Sequence, residues 1–180
     1  MRTEIRILDW IQSLHTPVTD ILMCFVTKLG NAGMIWILLA VILIFIPKKR
    51  RSGAILAVAL CVEVLLCNGI LKNLFCRIRP CDINMSIQLL IARPDDFSFP
   101  SGHTASSFAA VAALYLAREK RLWKLALVLA VLIGFSRMYL YVHYPTDIVG
   151  GVIVGIAAGY IGYRIIKKLQ KMKDDCLKNI

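Results

Sequence analysis

The sequence predicts an all-α membrane protein: a polytopic helical bundle of about six transmembrane helices, preceded by an N-terminal interfacial helix. Hydrophobic residues make up 58% of the 180-residue chain. They form long runs separated by short polar connections, as expected of membrane-spanning helices rather than of a soluble core. Basic residues concentrate in a few short loops and in the tail. The length suits one domain, so we expect residues 1–180 to form a single membrane domain.

The basic residues follow a topological pattern. The formal net charge of +11 would suggest nucleic-acid binding in many proteins. Here, however, Lys and Arg cluster at residues 48–51, 118–124 and 167–173. Basic loops that recur between alternate spans mark the cytoplasmic face of a membrane protein. We therefore expect these three clusters to be cytoplasmic, and we expect no nucleic-acid partner.

Residues 1–16 are predicted to form the interfacial helix. Ile7, Leu8, Ile11 and Leu14 fall on one side at helical spacing, which is typical of a helix that lies in the plane of the membrane surface. The segment lacks the compact apolar core and the small-residue cleavage site of a signal peptide, so we do not expect it to be removed.

Residues 18–166 are predicted to form the transmembrane bundle. Residues 18–29 are apolar, but they are fewer than the ~20 residues that a full crossing needs, and the sequence leaves open whether they span. Gly30-Asn31 interrupts this run, and residues 34–46 complete a second crossing. If residues 18–29 do cross, the bundle has six spans and both termini are cytoplasmic.

The rest of the chain predicts four further helices and a tail. The helices cover residues 54–75, 101–117, 125–141 and 145–166, and residues 167–180 form a basic cytoplasmic tail. In the last helix a glycine recurs every fourth residue, at Gly151, Gly155 and Gly159, which lets another helix approach closely. We favour packing within the chain over a dimer seam as the use of these glycines.

The charge rule places three polar clusters on the same, non-cytoplasmic face. The first is Lys72 with Arg77 and Arg79, at the outer end of one helix and just beyond it. Lysine and arginine side chains in a neighbourhood with few other charges favour the binding of an anion. The alternative is a set of interfacial cations that snorkel to the membrane surface.

The second cluster is Pro100-Ser101-Gly102-His103, where a helix begins. Ser101 is a good N-cap and Gly102 permits close approach of the backbone, so N–H groups and the helix dipole face the outer pocket. This arrangement predicts a phosphate or carboxylate site with a histidine beside it. The alternative is a serine that does no more than cap the helix.

The third cluster is Arg137, His143 and Asp147, at the junction of two apolar runs. Pro145 suits the first position of a helix, which puts Asp147 in the first turn. The carboxylate can then accept the proton on one ring nitrogen of His143 and leave the lone pair of the other nitrogen free to attack. The alternative is an Asp that stabilises a helix start and a His at the lipid interface.

Together these residue types predict phosphoryl transfer. The transition state spreads negative charge over the equatorial oxygens, and Lys72, Arg79 and Arg137 can neutralise that charge. His143 would attack phosphorus to give a phosphohistidine, and His103 would protonate the departing oxygen and later activate a water. The sequence has no carboxylate cluster for Mg²⁺ and no His/Cys set for zinc, so we expect neither a metal nor another cofactor.

The three clusters resemble the signature of the type 2 phosphatidic acid phosphatase superfamily, which also contains the vanadium haloperoxidases. The matching motifs are Lys72-x6-Arg79-Pro80, Pro100-Ser101-Gly102-His103 and Ser136-Arg137-x5-His143-x3-Asp147. They occur in order, over roughly residues 70 to 150, without departure at any signature position. The resemblance implies a metal-independent phosphatase in which His143 is the nucleophile, His103 the acid and base, and Asp147 the partner of His143. The phosphate-binding residues that it implies are Lys72, Arg79, Ser101, Gly102 and Arg137.

The resemblance also bears on the substrate and the location. Bacterial members similar to this short chain act on undecaprenyl diphosphate, or on phosphatidylglycerophosphate and phosphatidate. We expect an enzyme of the bacterial plasma membrane whose lipid phosphate substrate enters from the bilayer, most plausibly undecaprenyl diphosphate, with the active site on the extracytoplasmic face. A vanadate-dependent oxidase and a non-enzymatic transporter or flippase are the remoter alternatives.

A few residues outside the signature carry expectations of their own. Glu63 lies in mid-helix, where a buried carboxylate is a functional candidate; because it is far from the outer end of its helix and so from the site, it is interpreted as protonated or paired inside the bundle. Tyr139, Tyr141 and Tyr144 are typical of an interfacial aromatic belt. A disulfide between Cys76 and Cys81 is left open, as is the oligomeric state.

Overall fold

A computed structural model of the protein describes residues 2–178, which form nine α-helices and no β-strand. The helices are α1 (Arg2–Gln12), α2 (Pro17–Leu29), α3 (Met34–Phe45), α4 (Arg50–Val64), α5 (Lys72–Phe75), α6 (Pro80–Ile83), α7 (Gly102–Leu116), α8 (Leu122–Tyr139) and α9 (Pro145–Lys178). A π-helical segment, Leu65–Leu71, joins α4 to α5. The all-α prediction is confirmed.

Several of these helices are apolar enough for a membrane. Within the described residues, Pro47–Ile83, Leu122–Tyr139 and Pro145–Leu177 are each long and apolar enough to cross one. Helices α2 and α3 pass the same test together, as a pair bent by 46°. Helix α7 has 15 residues and lies inside the bundle, packed chiefly against α4, α8 and α9.

Helices α2 and α3 run through the bundle once rather than twice. Near the start of α2, Thr19 accepts a hydrogen bond from the Tyr139 hydroxyl at 2.8 Å. In α3, the Trp36 indole donates to Ser107 at 3.0 Å, and beyond α3 Lys49 pairs with Glu119 at 2.7 Å. The two helices therefore lead from the end of the bundle that holds His143 to the end that holds Glu119. These are called the His143 end and the Glu119 end.

The sequence left open whether residues 18–29 cross a membrane on their own. The break between them and residues 34–46 bends the chain by 46°. Ala32 and Gly33 adopt left-handed conformations there, with φ of 48° and 66°, and the chain then continues in the same general direction.

The two described ends of the chain lie at opposite ends of the bundle. In α1, Glu4 accepts a hydrogen bond from Thr146, in the first turn of α9, at 2.5 Å. Helix α9 then continues for 34 residues, about 50 Å at 1.5 Å per residue. Helix α1 therefore lies at the His143 end and α9 finishes beyond the Glu119 end. The expectation that both termini lie on one face does not hold for the described residues.

The glycines of α9 pack within the chain, as predicted. A Cβ atom added at Gly155 would lie 2.8 Å from the Ala109 backbone nitrogen of α7. One added at Gly159 would lie 2.5 Å from the Ala112 Cβ of the same helix. Because such distances are too short for real contacts, only glycine lets α7 and α9 pack this closely, and their contact fixes the start of α7 against the start of α9.

Candidate active site

Six of the eight predicted site residues line one cavity of about 430 Å³ at the His143 end. They come from separate parts of the chain and comprise Lys72, Arg79, Gly102, His103, Arg137 and His143. The other two, Ser101 and Asp147, are fully buried and lie behind the cavity wall. The fold thus brings the three sequence clusters to one place.

His143 sits in a tight turn between α8 and α9. Tyr141 takes a left-handed conformation with φ of 59°, and Pro145 then opens α9. The turn leaves His143 only 1% exposed. Helix α1 packs over this turn, where the Tyr141 hydroxyl donates to Asp9 at 2.7 Å.

The neighbours of His143 determine which ring nitrogen carries the proton. Its Nε2 lies 3.2 Å from the Arg79 Nη1, and because a guanidinium can only donate, Nε2 accepts. The proton is therefore on Nδ1, which lies 3.4 Å from the Asp147 Oδ2. That distance is longer than a normal hydrogen bond, and Nδ1 has no hydrogen-bond partner in the described part of the chain. Catalytic hydrogen bonds are often this loose before substrate binds.

Burial lowers the pKa of His143 to about 3, although the Asp147 side chain acts in the opposite direction. The positive charges of Arg79 and Arg137 lower it further. The imidazole is therefore neutral at physiological pH, with its Nε2 lone pair directed toward the cations of the cavity.

Asp147 is held by several donors. Its Oδ2 accepts hydrogen bonds from the Ser98 hydroxyl at 2.5 Å and from the Tyr144 backbone nitrogen at 2.9 Å. Its Oδ1 accepts from the Arg77 Nη1 at 2.6 Å. The first turn of α9 and the connection between residues 76 and 99 together fix this carboxylate beside His143.

Two of the cavity cations share one carboxylate. Asp96 pairs with both Lys72 and Arg79, and its backbone oxygen accepts a further hydrogen bond from the Arg79 Nε at 2.8 Å. Burial alone would raise the pKa of Asp96, but Lys72 and Arg79 lower it to about 2. Asp96 therefore stays negatively charged and occupies cationic groups that an anionic substrate would use.

Arg137 is the third cation of the cavity. It is 3% exposed, and its Nη1 donates to the Thr27 hydroxyl at 2.6 Å. Its Nε has no hydrogen-bond partner in the described part of the chain. A buried donor without an acceptor is costly, so this guanidinium is suited to bind an anion.

His103 opens onto the cavity from the first turn of α7. Its Nε2 lies 2.9 Å from the Asn31 Oδ1, in the turn between α2 and α3. Asn31 had no role in the sequence interpretation, because nothing in the sequence connects that turn with the start of α7.

Ser101 caps α7 and does not face the cavity. Its Oγ accepts a hydrogen bond from the Thr104 hydroxyl at 3.0 Å, and its N–H donates to the Asp147 carbonyl at 3.1 Å. Gly102, in contrast, lines the cavity, and a Cβ atom there would lie 3.5 Å from the Asn68 Oδ1 and 4.0 Å from the Lys72 Nζ. The backbone N–H groups that could face an anion are those of Gly102 and His103.

Two other expectations differ from the structure, and one disulfide that the sequence left open is not formed. Arg77 was grouped with the anion-binding cations, but it lies behind Asp147 instead of in the cavity wall. Glu63 was expected to lie far from the site, yet it lines the cavity; it is 2% exposed, and its Oε1 has no partner among the described residues. Cys76 and Cys81 are both free thiols.

Among residues 2–178, no group of three or more His, Cys, Asp or Glu side chains is arranged to hold a metal ion. The cavity instead offers cations, a neutral imidazole and a second histidine, a set suited to binding and attacking a phosphate group.

Comparison with known proteins gives several relatives. The chain is 30% identical to an undecaprenyl-diphosphatase of Sulfolobus acidocaldarius, over 84% of this chain and 75% of that protein. It is also 30% identical to the undecaprenyl-diphosphatase BcrC of Bacillus subtilis, over 90% and 82%. The crystal structure of a transmembrane PAP2-type phosphatidylglycerolphosphate phosphatase from Bacillus subtilis superposes with a TM-score of 0.72. It is 26% identical and covers 95% of this chain and 86% of that one.

The family match covers most of the bundle. Residues 52–171 match the family model described as the PAP2 superfamily, a range that runs from the start of α4 into the last turns of α9. Because this range contains every residue of the cavity that the three motifs supply, the chain belongs to the PAP2 superfamily and is a membrane lipid phosphatase.

Proposed function

We propose that this phosphatase hydrolyses undecaprenyl diphosphate to undecaprenyl phosphate through a phosphohistidine on His143. The observation that carries the proposal is the single cavity in which Lys72, Arg79 and Arg137 surround the Nε2 face of a neutral His143. No metal or other cofactor takes part in this mechanism.

The reaction has two steps. The terminal phosphate displaces Arg79 from the His143 Nε2, and that nitrogen attacks phosphorus while the N–H groups of Gly102 and His103 and the three cations hold the oxygens. His103 protonates the oxygen that leaves with the lipid, and the charge that develops on His143 is balanced by Asp147. A water, deprotonated by His103, then attacks phosphorus and releases inorganic phosphate. Ser101 supports this site by fixing the start of α7.

The substrate assignment draws on the relatives and on the apolar part of the cavity. Two relatives at 30% identity are named undecaprenyl-diphosphatases. Below the cations, the cavity wall includes Ile37, Leu60 and Val64, and Ile37 and Val64 are about half exposed on the outside of the bundle. This apolar wall suits a lipid chain that enters from the bilayer.

The location follows from the distribution of charge. We place the Glu119 end in the cytoplasm because it carries Lys48, Lys49, Arg118 and Lys120, and because the basic end of α9 extends beyond it. The active site then faces the outside of a bacterial plasma membrane, where α1 lies at the interface. In this arrangement residues 1–180 act as one phosphatase domain with a cytoplasmic C-terminal tail.

A phosphatidylglycerophosphate or phosphatidate phosphatase is the alternative. It is favoured by the superposition on the Bacillus subtilis phosphatidylglycerolphosphate phosphatase. Its substrate would place one phosphate among the same cations, so the residues and the chemistry would be unchanged.

The test is phosphate release by the purified full-length protein with a chelator present. Undecaprenyl diphosphate, phosphatidylglycerophosphate and phosphatidate are compared at equal concentration in the same detergent. We expect the highest kcat/KM for undecaprenyl diphosphate and a loss of several orders of magnitude in His143→Ala. A higher kcat/KM for another of the three lipids would replace the substrate assignment, and activity that survives in His143→Ala would refute the mechanism.

A further inference from the structure

We propose that Arg77 is a positioning residue for the reaction: its guanidinium, together with the Ser98 hydroxyl, holds Asp147 ionised and oriented toward His143. This inference rests on the proposed roles of Asp147 and His143. Neither Arg77 nor Ser98 lines the cavity, so both would act through Asp147 and not on the substrate.

The first argument is the charge of a buried carboxylate. Asp147 is fully buried, and an ionised carboxylate in such a place needs a countercharge or a strong set of donors. Among the described residues, the basic side chain paired with Asp147 is that of Arg77, whose Nη1 lies 2.6 Å from the Asp147 Oδ1. If that charge were absent, Asp147 would take up a proton more readily and would no longer balance the charge on His143.

The second argument is the way in which Arg77 is itself fixed. Its Nη2 donates to the Glu4 Oε2 of α1 at 2.8 Å, while its Nη1 also reaches the Thr146 hydroxyl at 2.6 Å. The guanidinium stacks on the Tyr144 ring, 4.0 Å from the centroid. Arg77 thus links helix α1 to the first turn of α9, because its planar guanidinium can donate hydrogen bonds to several oxygens at once.

The third argument is the complementary role of Ser98. Its hydroxyl donates at 2.5 Å to Oδ2, the oxygen that faces His143, whereas Arg77 binds Oδ1. Ser98 is fully buried, and its backbone N–H donates to the Arg77 carbonyl at 2.8 Å. The two ends of the connection between residues 76 and 99 therefore meet at this carboxylate and bind both of its oxygens.

The consequence for pH can be derived from the groups around the pair. Asp147 faces Arg77 and His143, with Glu4 beyond Arg77, and His143 faces Arg79, Arg137 and His103 across the cavity. Removing the Arg77 charge makes the ionised carboxylate less stable and makes a protonated His143 less unfavourable. Both effects move proton uptake by the pair to higher pH. A purely structural arginine would reduce the amount of active enzyme without moving the pH profile.

The experiment compares kcat and KM of full-length variants from pH ~3 to ~9. We expect Arg77→Gln to move the acid limb of the kcat profile up by about one to three pH units, the range for loss of one close opposite charge. We expect kcat to fall at least tenfold with KM changed less than about threefold, because substrate binding is not touched. Arg77→Lys keeps the charge but not the planar guanidinium. Its acid limb and its kcat should lie between those of Arg77→Gln and the wild type.

Two further variants make the test decisive. Arg93→Gln is the matched control: Arg93 lies in the same connection and pairs with Asp82 at 2.6 Å, so its profile should match that of the wild type. Ser98→Ala is a second test that does not depend on the folding of Arg77→Gln. Its acid limb should also move to higher pH. An unchanged acid limb in either Arg77→Gln or Ser98→Ala, with His143→Ala inactive as expected, would overturn this inference alone. Activity in His143→Ala would overturn the proposed function as well.

Discussion

At the scale of single residues, the proposed mechanism makes the pH range of the reaction depend on the protonation of His143. As the proposed nucleophile its imidazole must be neutral, and burial lowers its pKa to about 3. The imidazole therefore carries a proton only in strong acid, whereas an ordinary histidine loses it near pH 6.5. In the proposed mechanism His103 must be protonated to donate, a form that the negative charge of a bound phosphate would favour, so the activity should fall again on the alkaline side.

We therefore expect a bell-shaped profile of kcat whose acid limb lies well below pH 6.5. The measurement is the kcat of phosphate release at saturating substrate by the wild type between pH ~3 and ~9. An acid limb centred near pH ~6.5 would mean that His143 has an ordinary pKa in the complex with substrate. A flat profile would contradict the division of roles between His103 and His143.

Residues outside the motifs illustrate what the sequence could not predict. Lys72, Arg79, Arg137 and His143 were predicted because their types and spacing form a signature. Asp96 lies in a connection without periodicity, so its contact with Lys72 and Arg79 depends on a loop fold that no local pattern determines. The three tyrosines assigned to an aromatic belt are at most 2% exposed, because α1 covers the turn that contains them, and no local pattern predicts where α1 packs.

At the scale of elements, the connection between residues 76 and 99 supplies a carboxylate to the proposed phosphate site. Asp96 pairs with Lys72 and Arg79, so an incoming phosphate must displace it or share those cations. We expect Asp96→Asn to bind orthovanadate, an inorganic phosphate analogue, roughly tenfold more tightly, since a neutral amide competes less for the two cations.

The measurement is the inhibition constant of orthovanadate against phosphate release, with Asp95→Asn as the matched control. Asp95 is the neighbouring exposed carboxylate, and its replacement should leave the inhibition constant within about twofold. Weaker vanadate binding in Asp96→Asn would show that Asp96 arranges the cations for the substrate and does not compete with it.

The contact between α7 and α9 makes a second prediction at this scale. A Cβ atom at Gly155 would lie 2.8 Å from the Ala109 nitrogen and 2.9 Å from the Phe108 Cβ, so backbone would have to move. We expect Gly155→Ala to lower the free energy of unfolding by about 1–3 kcal/mol, the usual cost of overpacking. The same change at Gly69, where nothing lies within 4 Å of the added atom, should cost nothing.

Thermal unfolding in one detergent, with both variants side by side, measures this difference. A Gly155→Ala protein as stable as Gly69→Ala would mean that α7 and α9 are farther apart than described here. The recurrence of glycine every fourth residue was enough to predict this contact, because that spacing puts all three on one helix face.

The bend between α2 and α3, in contrast, could not be predicted from the sequence. Two apolar runs separated by Gly30-Asn31 look the same in sequence whether the chain reverses there or only bends. The structure decides through backbone conformation at Ala32 and Gly33 and through Asn31, which contacts His103. The sequence therefore left open whether residues 18–29 cross on their own, and nothing in it connected Asn31 with the start of α7.

At the scale of the whole molecule, the basic residues predict a testable orientation. The described chain starts at the His143 end and finishes beyond the Glu119 end. The clusters at residues 48–51 and 118–124 lie at the Glu119 end. By the positive-inside bias, we expect that end to be cytoplasmic and the proposed catalytic cavity to face outward.

Two of the native cysteines can test this orientation. Cys76 is exposed just after α5, at the His143 end, and Cys176 is exposed in the last turns of α9. In variants that keep one of the two and lack the other five cysteines, a membrane-impermeant maleimide should label Cys76 on intact cells. It should reach Cys176 only after lysis. Labelling of Cys176 but not Cys76 on intact cells would turn the cavity toward the cytoplasm, where a diphosphate released outside the cell could not reach it.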